Sequence, residues 1–122
     1  MRMAGYLNRA LSRFGNTVVI RRGGRAEVAK AFVQPLRRRH RLYLNEKYIP
    51  AGWFDNTYLL YIGSPDHPLD TGMRLECRGA AFSVVTAEEF AARDESVYVW
   101  AILRPDREGK EDYYDDVDGQ FD

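Results

Sequence analysis

The run Ser96–Pro105, SVYVWAILRP, leaves few folds open to this chain. Extended, it sends Tyr98, Trp100 and Ile102 to one side and Val97, Val99, Ala101 and Leu103 to the other. Both sides are apolar, so both must be covered. In an antiparallel protein of 122 residues that suits a strand lying between a barrel interior and a covering helix, with Pro105 ending it.

The neighbouring segments fit such a body. NTVVIRRGGRAEVAKAFVQP reads as two strands joined at Gly23-Gly24, because paired glycines accept the positive φ angles of a tight hairpin. A two-residue loop sets Val18 opposite Ala29, Val19 opposite Val28 and Ile20 opposite Glu27; a longer loop or a bulge is the alternative. Pro35, without an amide hydrogen, marks the end of the second strand or an edge position. Residues 42–56 show no sustained period and read as a long connection with a short strand inside it, followed by a strand at 57–63, TYLLYIG. In MRLECRG, Met73, Leu75 and Cys77 alternate with Arg74, Glu76 and Arg78, the pattern of a half-buried strand. AAFSVVTAEEF gives another strand, after which Thr86 and Glu89 match a capping box for one helical turn; an extended continuation is equally compatible.

Ahead of these segments, Met3, Leu7, Ala10, Leu11 and Phe14 recur at helical spacing, with Arg2, Arg9 and Arg13 on another face and Gly15-Asn16 as the stop. Such a helix either covers part of the domain core or docks a partner subunit. The expected fold is therefore mainly β, a small antiparallel barrel or sandwich with an N-terminal amphipathic helix. Residues 1–105 form one domain, and 106–122 an acidic, flexible tail.

Charge is unevenly distributed although it sums to zero. Residues 1–41 hold eleven Lys or Arg against Glu27 alone, whereas 106–122 hold eight acids against Arg107 and Lys110. The first half thus calls for a polyanionic or acidic partner, and the acidic tail is one that could fold back onto it. Arg37, Arg38, Arg39 and Arg41, beside Tyr43, Tyr48, Trp53 and Phe54, are the leading contact residues, joined by Arg22 and Arg25 at the hairpin tip. Arginine's planar fork pairs with phosphates and carboxylates alike, so a solvated loop, a protein partner and non-specific nucleic acid all remain open.

Catalytic chemistry is thinly supplied. Asp66, His67 and Asp70 share one loop and offer a base with an orienting carboxylate, but Asp beside proline equally serves as a turn former. No serine sits in a nucleophile elbow and RRGGR is no phosphate loop. One cysteine, Cys77, and two histidines, His40 and His67, give neither a disulfide nor metal-ligand spacing, and Cys77 is expected in the core. No cofactor and no enzymatic activity are expected. The absence of an 18-residue apolar run and of a secretory-signal pattern in MRMAGYLNRALSRF points to the cytoplasm.

FVQPL at 32–36, YLLYIG at 58–63, LDTG at 69–72, FSVVTAEEF at 82–90 and VYVWAILRP at 97–105 together resemble small prophage proteins encoded with tailed-phage morphogenesis genes, the head-tail connector (stopper or head completion) proteins. Where that family commonly has a glycine followed by an acid and then a tyrosine opening the next strand, this chain has Gly72-Met73 and Phe82. The resemblance implies a small β-barrel, made in a bacterial cytoplasm, that assembles as a ring at the particle neck around the DNA channel. Its neighbours there would be portal or adaptor and tail proteins. The alternative expectation is a small basic barrel that binds nucleic acid non-specifically by itself.

Overall fold

The computed structural model of the chain describes residues 3–37, 40, 44, 49–50, 53 and 58–106. A helix, α1 (Met3–Phe14), precedes six strands: β1 (Asn16–Arg22), β2 (Arg25–Pro35), β3 (Leu59–Gly63), β4 (Arg74–Cys77), β5 (Ala80–Ala92) and β6 (Glu95–Pro105). Every pairing is antiparallel. β1 bonds to β4 as well as to β2, which closes the sheet into a barrel with the strand order β1-β2-β3-β6-β5-β4. Closure settles barrel over sandwich, and it removes the open edges that an isolated sheet would expose.

The first hairpin has the two-residue register read from its glycines, with Val18 opposite Ala29 and Ile20 opposite Glu27. Gly23 and Gly24 adopt φ of 56° and 84°, the left-handed conformations that a mirror-image hairpin turn requires. Alternation then fills the interior. Val18 and Ile20, Ala29, Ala31 and Val33, Tyr61, Leu75 and Cys77, Val84, and Val99, Ala101 and Leu103 form one cluster inside the barrel, joined by Leu69 from the β3–β4 loop. Cys77 is buried there with a free thiol, as its place in the alternation predicts.

β6 is covered on both faces, and α1, which packs against it, is not the whole of the cover. Trp100 and Ile102 lie with Leu60 and Ile62 in a second cluster on the outer wall, beneath Leu36 and Leu44 from the β2–β3 connection. Ile49, Trp53 and Tyr58 flank it, and Trp53 stacks on Tyr58 at 5.2 Å between ring centroids. The cover over Trp100 is thus the connection rather than a helix. A bond from Leu36 N–H to Tyr58 O, 3.0 Å, ties the two ends of that connection together. The short strand expected within 42–56 falls largely outside the described residues.

The capping box at Thr86 and Glu89 does not open a helical turn. β5 continues through both residues to Ala92, bonding β6 from Thr86↔Ile102 to Ala92↔Glu95 after a bulge between Val84 and Thr86. Ladder bonds and the Phe90–Tyr98 ring stack, 4.9 Å apart, outweigh the local cap, which is worth only about 1 kcal/mol.

Candidate functional site

The three described candidate arginines, Arg22, Arg25 and Arg37, do not converge. Arg22 and Arg25 face each other across the first hairpin, at the end of β2 opposite to Pro35 and Arg37. At about 3.4 Å per residue the length of β2 separates Arg25 from Pro35 by roughly 35 Å along the strand. Arg38, Arg39 and Arg41 lie outside the described residues. Arg37 is half-buried; its N–H donates to His40 Nδ1 at 2.9 Å while His40 N–H donates to Arg37 O at 2.9 Å. His40, buried, is therefore the residue that closes this turn.

Around the hairpin the positive charge is largely matched. Arg22 Nε donates to Glu27 Oε2 at 2.6 Å, and its Nη2 donates to Glu27 Oε1 at 3.3 Å and to Pro68 O at 2.7 Å. Arg21 bonds Glu76 at 3.0 Å across the β1–β4 pair. Arg25 is exposed and forms no ion pair among the described residues.

Glu27 also explains His67. The imidazole Nδ1 sits 3.1 Å from Glu27 Oε1, a carboxylate forty residues away, and not against Asp66 or Asp70. Those two aspartates are exposed turn residues: Asp66 N–H donates to Ser64 Oγ, and Asp70 N–H to Met73 Sδ. The base with an in-loop carboxylate is thus not assembled. The Glu27 carboxyl is held below its ordinary 4.5 by the hydrogen bond from Arg22 first and that of His67 second. Physically the trio is a latch. It fastens the 64–73 loop across one barrel mouth while Leu69, on the same loop, plugs the core beneath. The signal for Glu27 was present in the hairpin register, because Ile20 opposite Glu27 puts that carboxylate on the inner face at the rim.

Beneath the latch lies Tyr61, fully buried, with a hydroxyl that finds no partner. Burial pushes its phenol from 10.0 up to about 12, with Arg22 opposing and Glu27 adding to the rise. A raised phenol pKa stabilises the fold fully below pH 10 and is lost as pH climbs through 12. Two units correspond to about 2.7 kcal/mol. Tyr61→Phe should leave stability at pH 7 equal or greater, since an unpartnered buried hydroxyl costs about 1–3 kcal/mol. It should also flatten the decline between pH 10 and 12. Urea midpoints across that range check both, and a loss above about 1 kcal/mol at pH 7 would mean that the hydroxyl has a partner.

The remaining feature is α1. It packs against β2 and β6, the two neighbours of β3, and buries Leu11. Only part of its apolar stripe is used. Leu7 and Ala10 are half-buried, but Met3 and Phe14 are 55% and 71% exposed, and Tyr6, beside them, 65%. The Arg9 guanidinium lies 5.9 Å from the Tyr6 ring centroid and that of Arg13 5.6 Å from Phe14. The helix thus covers the domain with one flank and presents an aromatic, cationic flank outward. Spacing alone identified the stripe but not which part of it the barrel would leave uncovered.

Among the described residues no three His, Cys, Asp or Glu side chains gather as metal ligands would, and no helix is long and apolar enough to cross a membrane. Comparison with protein-family models, curated proteins and solved structures found no match.

Proposed function

We propose that this chain is a structural component of the head-tail junction of a tailed phage or prophage particle, a connector that works by ring assembly and protein contacts around the DNA channel. Under this reading it is made in the bacterial cytoplasm and comes to rest in the virion neck, between portal or adaptor and tail proteins. The observation that carries it is the outward flank of α1, where Met3, Tyr6 and Phe14 are exposed on a helix whose other flank is docked. Exposed aromatic and arginine side chains together are the composition of protein interfaces, and Phe14 exposed to that degree has no role in the barrel's own packing. An interior filled by the apolar cluster leaves recognition to the outer surface. The rival, a DNA-binding barrel, needs its arginines on one surface. Arg22 and Arg25 are instead a strand length away from Arg37, and Arg22 is occupied by Glu27 and Pro68.

Two measurements test the reading. Gold-labelled antibody against the chain, applied to purified particles after prophage induction, should mark the neck; label elsewhere, or absence of the chain from particles, overturns it. The isolated protein should hold duplex DNA weakly even at 50 mM salt, with little further loss when Arg37, Arg38, Arg39 and Arg41 become alanine. Tight retention that these substitutions abolish, with a steep salt slope, would transfer the assignment to the nucleic-acid reading.

A further inference from the structure

We infer that the edge of β5 over Thr86–Phe90 is a site of strand addition for an extended, lysine- or arginine-bearing segment of another protein. The inference goes beyond the connector reading and stands or falls without it.

The edge arises from a mismatch of strand lengths. β5 runs from Ala80 to Ala92, whereas β4, its neighbour on the side away from β6, is only Arg74–Cys77. β4 begins no earlier because the chain turns at Gly72, with φ of 90°. β4 bonds β5 from Ala80 to Ser83, and Gly72 N–H and Val84 N–H add one more rung, donating to Val84 O and Met73 O at 2.8 Å each. Beyond Val84, among the described residues, only β6 pairs with β5. Closure through β4 therefore does not extend along this part of β5. Between the bulges at Val84/Thr86 and Phe90/Ala91 the β5–β6 ladder is regular, from Thr86↔Ile102 to Phe90↔Tyr98. In an antiparallel pair every second residue turns its N–H and C=O away from the partner strand. Over Thr86–Phe90 those groups meet no further strand among the described residues, whereas β6 has β3 and α1 against it.

Edges of this kind recruit other strands, and side-chain charge decides which. Glu88, opposite Trp100, and Glu89, opposite Val99, lie on opposite faces of β5. Glu89 is exposed and forms no ion pair among the described residues. Residues 86–96 carry Glu88, Glu89, Asp94 and Glu95 against Arg93 alone. A strand laid along the edge thus meets a carboxylate on each face, and two adjacent basic residues, which point to opposite faces, answer both. A second copy of the edge does not. Antiparallel overlap with itself sets Glu88 against Glu88 when counted over Thr86–Phe90, and Glu89 against Glu89 when counted to Ala92. Like charges directly opposite are destabilising. The glutamates that keep copies of this edge apart are therefore the ones that select a basic partner. Backbone bonds supply the affinity and the glutamates the choice.

The test probe is the blocked peptide acetyl-Thr-Val-Lys-Lys-Val-Thr-amide, followed through the amide resonances and hydrogen exchange of the full chain. In the free chain, the amides of Thr86–Phe90 that face away from β6 should exchange faster than those bonded to it. Peptide at up to about 1 mM should shift these resonances saturably and slow the fast amides at least about tenfold. Replacing both lysines by glutamate should weaken binding at least about tenfold. Methylating alternate backbone nitrogens of the peptide, which leaves its charge in place, should abolish binding. Glu89→Lys, at an exposed position, should reverse the preference between the lysine and glutamate peptides, with a thermal melt by circular dichroism confirming the fold. The inference is overturned if the lysine peptide gives no saturable shift, or if the N-methylated peptide binds as well, which would leave charge attraction alone. Slow exchange of the outward amides in the free chain overturns it too. Independent of concentration, such protection would mean that the chain covers its own edge; rising with concentration, that a second copy does. Neck labelling bears on none of these outcomes, so the two readings fail separately.

Discussion

Gly63→Ala is expected to be among the most damaging single changes in the chain, although it adds one methyl group. A Cβ at this position would stand 2.7 Å from the Tyr61 hydroxyl oxygen, 2.9 Å from Cζ and 3.0 Å from Cε1. The phenol lies along β3 over Gly63, and it cannot retreat because Tyr61 is fully buried within the interior cluster. Nor can the backbone move easily, since Gly63 is bonded into both ladders, opposite Ala31 of β2 and Val99 of β6. Overpacking of this kind costs about 1–3 kcal/mol and more where nothing yields, set against a total stability of about 5–15 kcal/mol for a domain. The requirement is for space and not for backbone freedom, as Gly63 has no positive φ. A double-mutant cycle separates the two. With Tyr61→Leu removing the obstructing atoms, Gly63→Ala should become at least about 1 kcal/mol cheaper in urea denaturation. An equal cost in both backgrounds would place the strain in the backbone.

That prediction depends on knowing which face of β3 is inside, and the distinction shows where sequence reading reaches its limit. Gly23-Gly24 carried the two-residue reading of the first hairpin, with a longer loop or a bulge as the alternative, because paired glycines accept the positive φ angles that such a turn requires. Period-two alternation carried the inner face of β4 and the division of β6 into two apolar faces, but with both faces of β6 apolar it did not distinguish inside from outside. The capping box at Thr86 misdirected the reading in part because a four-residue motif competes poorly with a ladder formed by residues outside it. The charge-bearing residues were less legible still. The sequence places Arg22 and Arg25 at a hairpin tip and Arg37 after Pro35 but not the distance between them; β2 carries Arg25 to one end of the barrel and Arg37 toward the other. The register places Glu27 opposite Ile20 but says nothing of its partners. In three dimensions it joins Arg22 and His67 and holds down a loop. For α1, hydrophobic spacing defines a stripe about its axis, but the width that is buried depends on the curvature of the barrel beneath, which no local pattern encodes.

Trp100→Ala should cost about 3–5 kcal/mol, the usual range for emptying a large aromatic site. Trp100 is the largest fully buried side chain, and it is the central residue of the outer cluster in which Leu36 and Leu44 lie on Leu60, Ile62 and Ile102. The damage should have a direction. Inside the barrel the apolar cluster remains complete, whereas the β2–β3 connection loses the surface on which it rests. Protease cleavage within 36–58 should therefore accelerate at temperatures where the barrel amides still resist hydrogen exchange, as local opening requires. Trp100→Phe distinguishes ring burial from hydrogen bonding. The indole Nε1 has no partner, so removing its N–H forfeits nothing and only the difference in ring size is lost. A change in midpoint well under half that of Trp100→Ala is expected. If the two substitutions proved equally harmful, an undisclosed partner of the indole, and not apolar burial, would be anchoring the connection that carries Arg37–Arg41.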